Sequence, residues 1–231
     1  MNVQRYAKVA GVLLLISIVA GGFGEAYAPS KLIVAGDAGA TVANIKNFEF
    51  IYRLGFAAFL IESFADITLA LMLYALLKPV SRELSLLAAF FGLVGTALFA
   101  FAELFYLAPT LFMTAGSLNA FSTDQIEELI LLSLRFYQFA AMIFSGYYGI
   151  AWLVRAYLMF RSGYLPKFLG VLMGIGGLGF LARNFLLILA PAYASPVLLM
   201  LLFPGVLLLM VWLLTKGVDM PRWNARVNAQ A

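Results

Sequence analysis

Long apolar runs separated by short polar stretches dominate the chain. A bilayer core about 30 Å thick takes roughly 20 mostly apolar residues as a helix. Six runs meet that length: 9–28, 51–77, 84–112, 129–158, 168–190 and 196–215. Lipid offers no partners to the backbone of an open strand, so each run reads as a helix. The short alternating segments of a membrane barrel are absent. The pattern predicts an all-α, polytopic membrane bundle of six helices, forming one integral membrane domain over residues 1–231. Several runs exceed the minimum, so tilt or extension past the headgroups is expected.

Composition agrees and removes several chemistries. The chain is 64% hydrophobic and only 11% charged, too few polar groups to cover a soluble fold of this size. It has no cysteine and no histidine. That excludes disulfides, thiolate metal sites, Ser-His-Asp triads and histidine-ligated haem or zinc. The net charge of +4 does not point to nucleic acid, because the basic residues sit between apolar spans. The expected partner is the lipid bilayer; a homodimer and a membrane partner protein both stay open. No cofactor and no metal site are expected.

The basic residues orient the spans. Arg5, Lys8, Lys78, Arg82, Arg161, Lys167, Lys216, Arg222 and Arg226 fall on one side, and Lys31 and Lys46 on the other. This is the positive-inside asymmetry, and it places both termini in the cytoplasm. The first span has a rival reading as a signal peptide, with Ala26-Tyr27-Ala28 as an A-x-A site. Pro29 and Glu25 beside that site argue for a retained span. In the loop that follows, Asp37 to Gly39 reads as a turn and Thr41 as the cap of a short amphipathic segment. The end from Asp219 onward reads as a polar, frayed tail with Trp223 as an interfacial anchor.

Several stretches carry a family resemblance. They are Lys31 to Ile45 with Asp37, Thr41 and Asn44, then Glu49 and Arg53-Leu54-Gly55. Leu73-Tyr74 and Lys78-Pro79-Val80 follow, then Arg161 to Lys167, Gly170, and Trp212 to Gly217. In order and spacing they resemble the bacterial membrane family known as domain of unknown function 4386, over nearly the whole chain. The resemblance implies a polytopic inner-membrane protein and brings no activity with it. Asp66 falls on an acid frequent in that family. The chain departs from the family where many members carry an Arg and a Glu in the third span, near Gly92 and Gly95. It departs again in the last span, which holds Pro204 and Gly205 in place of a Glu.

The candidate chemistry lies inside the spans, where ionisable residues cost about 2.5–3.5 kcal/mol each on insertion scales. Helix two carries Arg53, Glu62 and Asp66, helix three Glu103, and helix five Arg183 and Asn184. Glu62 and Asp66 are four apart and share a face. Arg183 is their expected counter-charge. These six residues form the candidate ligand- or ion-binding set; no catalytic residue is assigned, and the protein is read as a non-enzyme. Two readings stand. One is a polar centre that binds a small polar ligand, an ion or a proton, in a transporter-like or sensor-like protein. The other is an accessory protein that stabilises a partner complex, its charges serving only as inter-helix ion pairs. A third, an intramembrane enzyme built on Glu62 and Asp66, has no nucleophile motif behind it. Gly170, Gly174 and Gly177 predict a smooth packing face on helix five, widened by Gly176 and Gly179.

Overall fold

A computed structural model of the chain describes residues 3–114, 118 and 120–229. Every regular element among them is helical. In order these are α1 (Val3–Gly21), a π-helical turn (Gly22–Tyr27), α2 (Ala28–Leu32), α3 (Ala38–Asn47), α4 (Glu49–Leu77) and α5 (Arg82–Phe112). Then come α6 (Thr123–Ser162), α7 (Lys167–Leu189), a 3-10 turn (Pro191–Tyr193), α8 (Val197–Met200), α9 (Leu202–Thr215) and α10 (Met220–Asn228). Six helical stretches are long and apolar enough to cross a membrane: Val3–Leu32, Glu49–Leu77, Arg82–Phe112, Thr123–Ser162, Lys167–Leu189 and Val197–Thr215. They coincide with the six expected spans, each extended or trimmed by a few residues at its ends. Large apolar side chains such as Phe64, Phe90, Leu104, Phe139, Leu178 and Val211 stand exposed along them, as lipid-facing surfaces do.

Two local expectations change. Asp37, not Thr41, caps α3: its Oδ1 accepts from the Ala40 N–H at 2.8 Å. Thr41 sits one turn inside, donates to the Asp37 carbonyl at 2.8 Å and accepts from the Val34 N–H at 3.0 Å. Its hydroxyl ties the preceding turn to the helix, which the sequence pattern did not reveal. The tail is not frayed from Asp219 onward either. Asp219 accepts from the Arg222 N–H at 3.2 Å and starts α10, where an aspartate cap contributes about 1 kcal/mol.

The residues divide into two compact units. One comprises Met1–Leu15, Ala65–Thr96 and Ile143–Ala231; the other comprises Ile16–Phe64 and Ala97–Met142. The first is built around an aliphatic core that includes Leu14, Leu69, Leu73, Trp152, Met159, Leu169, Leu209 and Leu213. Its helices approach closely where glycines face their neighbours. A β-carbon on Gly170 would stand 2.7 Å from the Ala156 carbonyl oxygen, and one on Gly176 would stand 2.5 Å from Leu202. Gly174 is different: its only near neighbour would be the Ala156 methyl at 3.7 Å, an ordinary contact. Of the expected glycine face of α7, Gly170, Gly176, Gly177 and Gly179 form the tight seams, and Gly174 does not.

The second unit rests on rings. Tyr52, Phe59, Phe99, Tyr106 and Tyr137 are all buried. Phe59 meets Phe99, Tyr106 and Tyr137 edge-on at 5.3, 5.7 and 6.1 Å between centroids. In this unit α5 carries Pro109, which has no N–H to give the Phe105 carbonyl one turn earlier and costs a helix interior about 3 kcal/mol. The Ser133 hydroxyl of α6 donates to that carbonyl at 2.6 Å, returning about 1 kcal/mol and fastening α5 to α6.

Candidate functional site

The six candidate residues fall into both units: Arg53, Glu62 and Glu103 in the ring-lined one, Asp66, Arg183 and Asn184 in the other. Each unit holds a buried polar centre, and the two differ in charge.

In the ring-lined unit the centre is Glu103. Phe99, Ala102, Glu103 and Tyr106 follow the i, i+3, i+4, i+7 spacing of one helical face, and all four are buried. Helix periodicity alone thus carries the carboxyl inward among the aromatic side chains. Glu103 is 3% exposed. Neither of its carboxyl oxygens has a hydrogen-bond partner among the described residues, and the same holds for the Tyr106 hydroxyl. Tyr52 stacks on Tyr106 at 4.8 Å, Tyr106 lies 5.4 Å from Tyr137, and the Tyr52 hydroxyl donates to the Tyr106 carbonyl. Tyr137 lies within electrostatic reach of Glu103, Glu25 and Glu62. The Glu62 carboxyl rests on the α1 backbone, where a β-carbon on Gly21 would stand 2.6 Å from Oε1. Glu25 lies in the π-helical turn just beyond, a wide-turn geometry often found at functional sites. Arg53 does not join this centre: it is exposed and pairs with Glu49 at 2.7 Å.

In the other unit the centre is Arg155, 3% exposed. Its guanidinium lies 4.9 Å from the Trp152 ring centroid and presses on α5 at Gly92, whose β-carbon would stand 2.7 Å from Nη2. Asp66 and Tyr148 act on it electrostatically. The expected partner of Asp66 was Arg183. Arg183 instead forms no ion pair among the described residues, and its Nε is enclosed without a hydrogen-bond partner. Arg155 takes the place in this unit that the sequence reading gave to Arg183. Asn184 is a packing residue: its Nδ2 donates to Ser145 Oγ at 3.4 Å, with the amide against Gly146.

Sequence reasoning missed Arg155 and the three tyrosines around Glu103. A signal existed for Arg155 and for Tyr106. Arg155 is an arginine inside the fourth apolar run, and Tyr106 is three residues from Glu103 on its face. Chemically, the first centre offers a shielded acid without a base, and the second a shielded base with an acid in range. Among the described residues no three acids converge closely enough to hold a metal ion.

Comparison with known proteins gives a family and no activity. An uncharacterized protein of Archaeoglobus fulgidus is 30% identical over 154 residues, covering 66% of this chain and 76% of the relative. No solved structure matches. The profile of one family, Domain of unknown function (DUF4386), matches residues 9–217. With nearly the whole chain matched, the protein belongs to the DUF4386 family.

Proposed function

We propose that this is a non-enzymatic, multi-pass protein of a cell inner membrane, with both termini in the cytoplasm, whose working group is Glu103 as a proton-binding carboxyl. One observation carries the reading: Glu103 is enclosed to 3% exposure, and both oxygens lack a protein partner among the described residues. A bare carboxylate so shielded from water is costly. The group is compatible with its neutral acid form or with a cation brought to it. A proton fits better than a larger ion, because the surrounding rings touch one another and no three acids among the described residues converge for a metal. Glu62 and Glu25 place two further carboxyls within electrostatic reach of Tyr137, so the unit gathers acids around its rings.

Infrared difference spectroscopy of the purified protein across a pH series tests the assignment. The expected result is a protonated-carboxyl carbonyl band that disappears in Glu103→Gln and survives in Glu49→Gln, which alters an exposed acid. Identical spectra for wild type and Glu103→Gln would remove the proposal. The accessory reading keeps one observation in its favour, the close packing of the tyrosine rings in this unit. Vesicles reconstituted with the protein separate the two. Proton flux lost in Glu103→Gln supports transfer, and no flux above protein-free vesicles supports an accessory role.

A further inference from the structure

A surface groove in the ring-lined unit carries a separate inference. Two hollows, about 450 Å³ and 410 Å³, both border on Leu129 and Leu132 of α6. Each volume lies in the range of small-molecule sites, about 300–1,000 Å³. The first hollow is polar at its rim, with Asp124, Glu128 and Arg135. The second is apolar, with Phe101, Leu104, Ala108 and Phe112 of α5 facing Phe136 of α6. Its one polar side chain, Ser133, is already engaged by the Phe105 carbonyl. A charged hollow thus continues into an apolar trough.

The charges are arranged for a guest. Asp124, Glu128 and Leu132 follow one another at four-residue spacing, and Arg135 lies three further on, so all share one face of α6. None of the three charged residues forms an ion pair among the described residues. Helical side chains lean toward the helix N-terminus, so the long Arg135 side chain reaches back toward the two acids. The apolar run of the fourth span begins at about residue 129. Asp124 and Glu128 therefore fall at headgroup level, and the trough falls in the hydrocarbon.

We infer that this groove binds one membrane phospholipid whose headgroup carries both a phosphate and a primary ammonium. The phosphate meets Arg135, the ammonium meets Asp124 and Glu128, and an acyl chain lies in the trough. A purely anionic headgroup would face two carboxylates against one arginine. A quaternary ammonium has no N–H to donate to the acids.

Native mass spectrometry and thermal stability of the detergent-purified chain, with defined lipids added back, provide the test. Phosphatidylethanolamine is expected to be retained and to raise the melting temperature more than phosphatidylglycerol or phosphatidylcholine. Arg135→Gln, which removes the phosphate contact, and Leu132→Trp, which fills the junction of the hollows, should each weaken retention about tenfold. Both positions are exposed, and melting of the lipid-free variants verifies that they fold. Glu103→Gln should retain the lipid like wild type, so this result is independent of the proton-binding proposal. Equal retention of the three lipids, or retention unchanged in both groove variants, would mean ordinary boundary lipid and overturn the inference.

Discussion

The two buried polar centres solve the same problem in opposite ways. Around Arg155 a charge that cannot be neutralised is accommodated by an acid in range, Asp66, and by the face of Trp152. Around Glu103 no base forms an ion pair among the described residues, and the unit's core is made of tyrosine and phenylalanine rings. An arginine keeps its charge at every accessible pH, so its surroundings must stay complementary. A carboxyl can shed its charge by taking a proton. The arginine centre is therefore suited to holding helices in place and the glutamate centre to changing state. This contrast teaches that burial alone does not mark function; what matters is whether the buried group has an alternative charge state.

The largest effect that can break the comparison is at Arg155. Arg155→Met should cost about 3 kcal/mol of stability, by removing the positive charge that acts on Asp66 and the guanidinium packed on Trp152 and Gly92, read as a drop in detergent melting. Arg155→Met combined with Asp66→Asn should recover part of that loss. Strict additivity of the two changes would show that the acid and the arginine do not interact.

A matched pair of glycines sharpens the difference in rigidity. Gly92→Ala places a methyl 2.7 Å from Arg155 Nη2, and Gly21→Ala places one 2.6 Å from Glu62 Oε1. Arg155 is enclosed and held over Trp152, so Gly92→Ala should cost about 1–3 kcal/mol by overpacking. Glu62 is only half-buried and its carboxyl can swing away, so Gly21→Ala should cost less. Equal losses of melting temperature for the two would mean that the centres are equally rigid.

Glu103→Gln should change stability by no more than about 1 kcal/mol, since a neutral group of the same shape replaces one that already lacks a partner. A loss as large as that of Arg155→Met would reveal a cation held at Glu103 and erase the contrast. The smallest effect belongs to Arg53. Its exposed pair with Glu49 should contribute at most about 1 kcal/mol, and Arg53→Gln should leave melting and the infrared band of Glu103 alike unchanged.

The glutamate centre was half legible in the sequence and the arginine centre hardly at all. Glu103 stood out because an acid inside an apolar run is costly. Its company did not, because Tyr52 and Tyr137 lie on other helices, far away along the chain. Arg155, close to the end of its run, is where an arginine ordinarily anchors at a headgroup. The approach of Gly92 on α5 and the ring of Trp152 help to enclose it. Arg183 was the mirror error: a base inside an apolar span suggested a counter-charge for the acids of helix two, but position along a helix does not fix the direction in which its face points.

What the amino-acid order determined was the helical class, the six spans and the presence of charge inside them. Those properties follow from the cost of exposing backbone and ions to hydrocarbon, which is set residue by residue along the chain. What only the tertiary structure decided was which charges meet, which glycines are tight and which side chains close over Glu103. Those depend on how each helix is rotated about its axis, and an apolar segment facing lipid on one side and other apolar helices on the other leaves that rotation weakly specified by pattern. Packing at Gly170 and Gly176, the Ser133 bond to the carbonyl freed by Pro109, and the stacked tyrosines fix it instead.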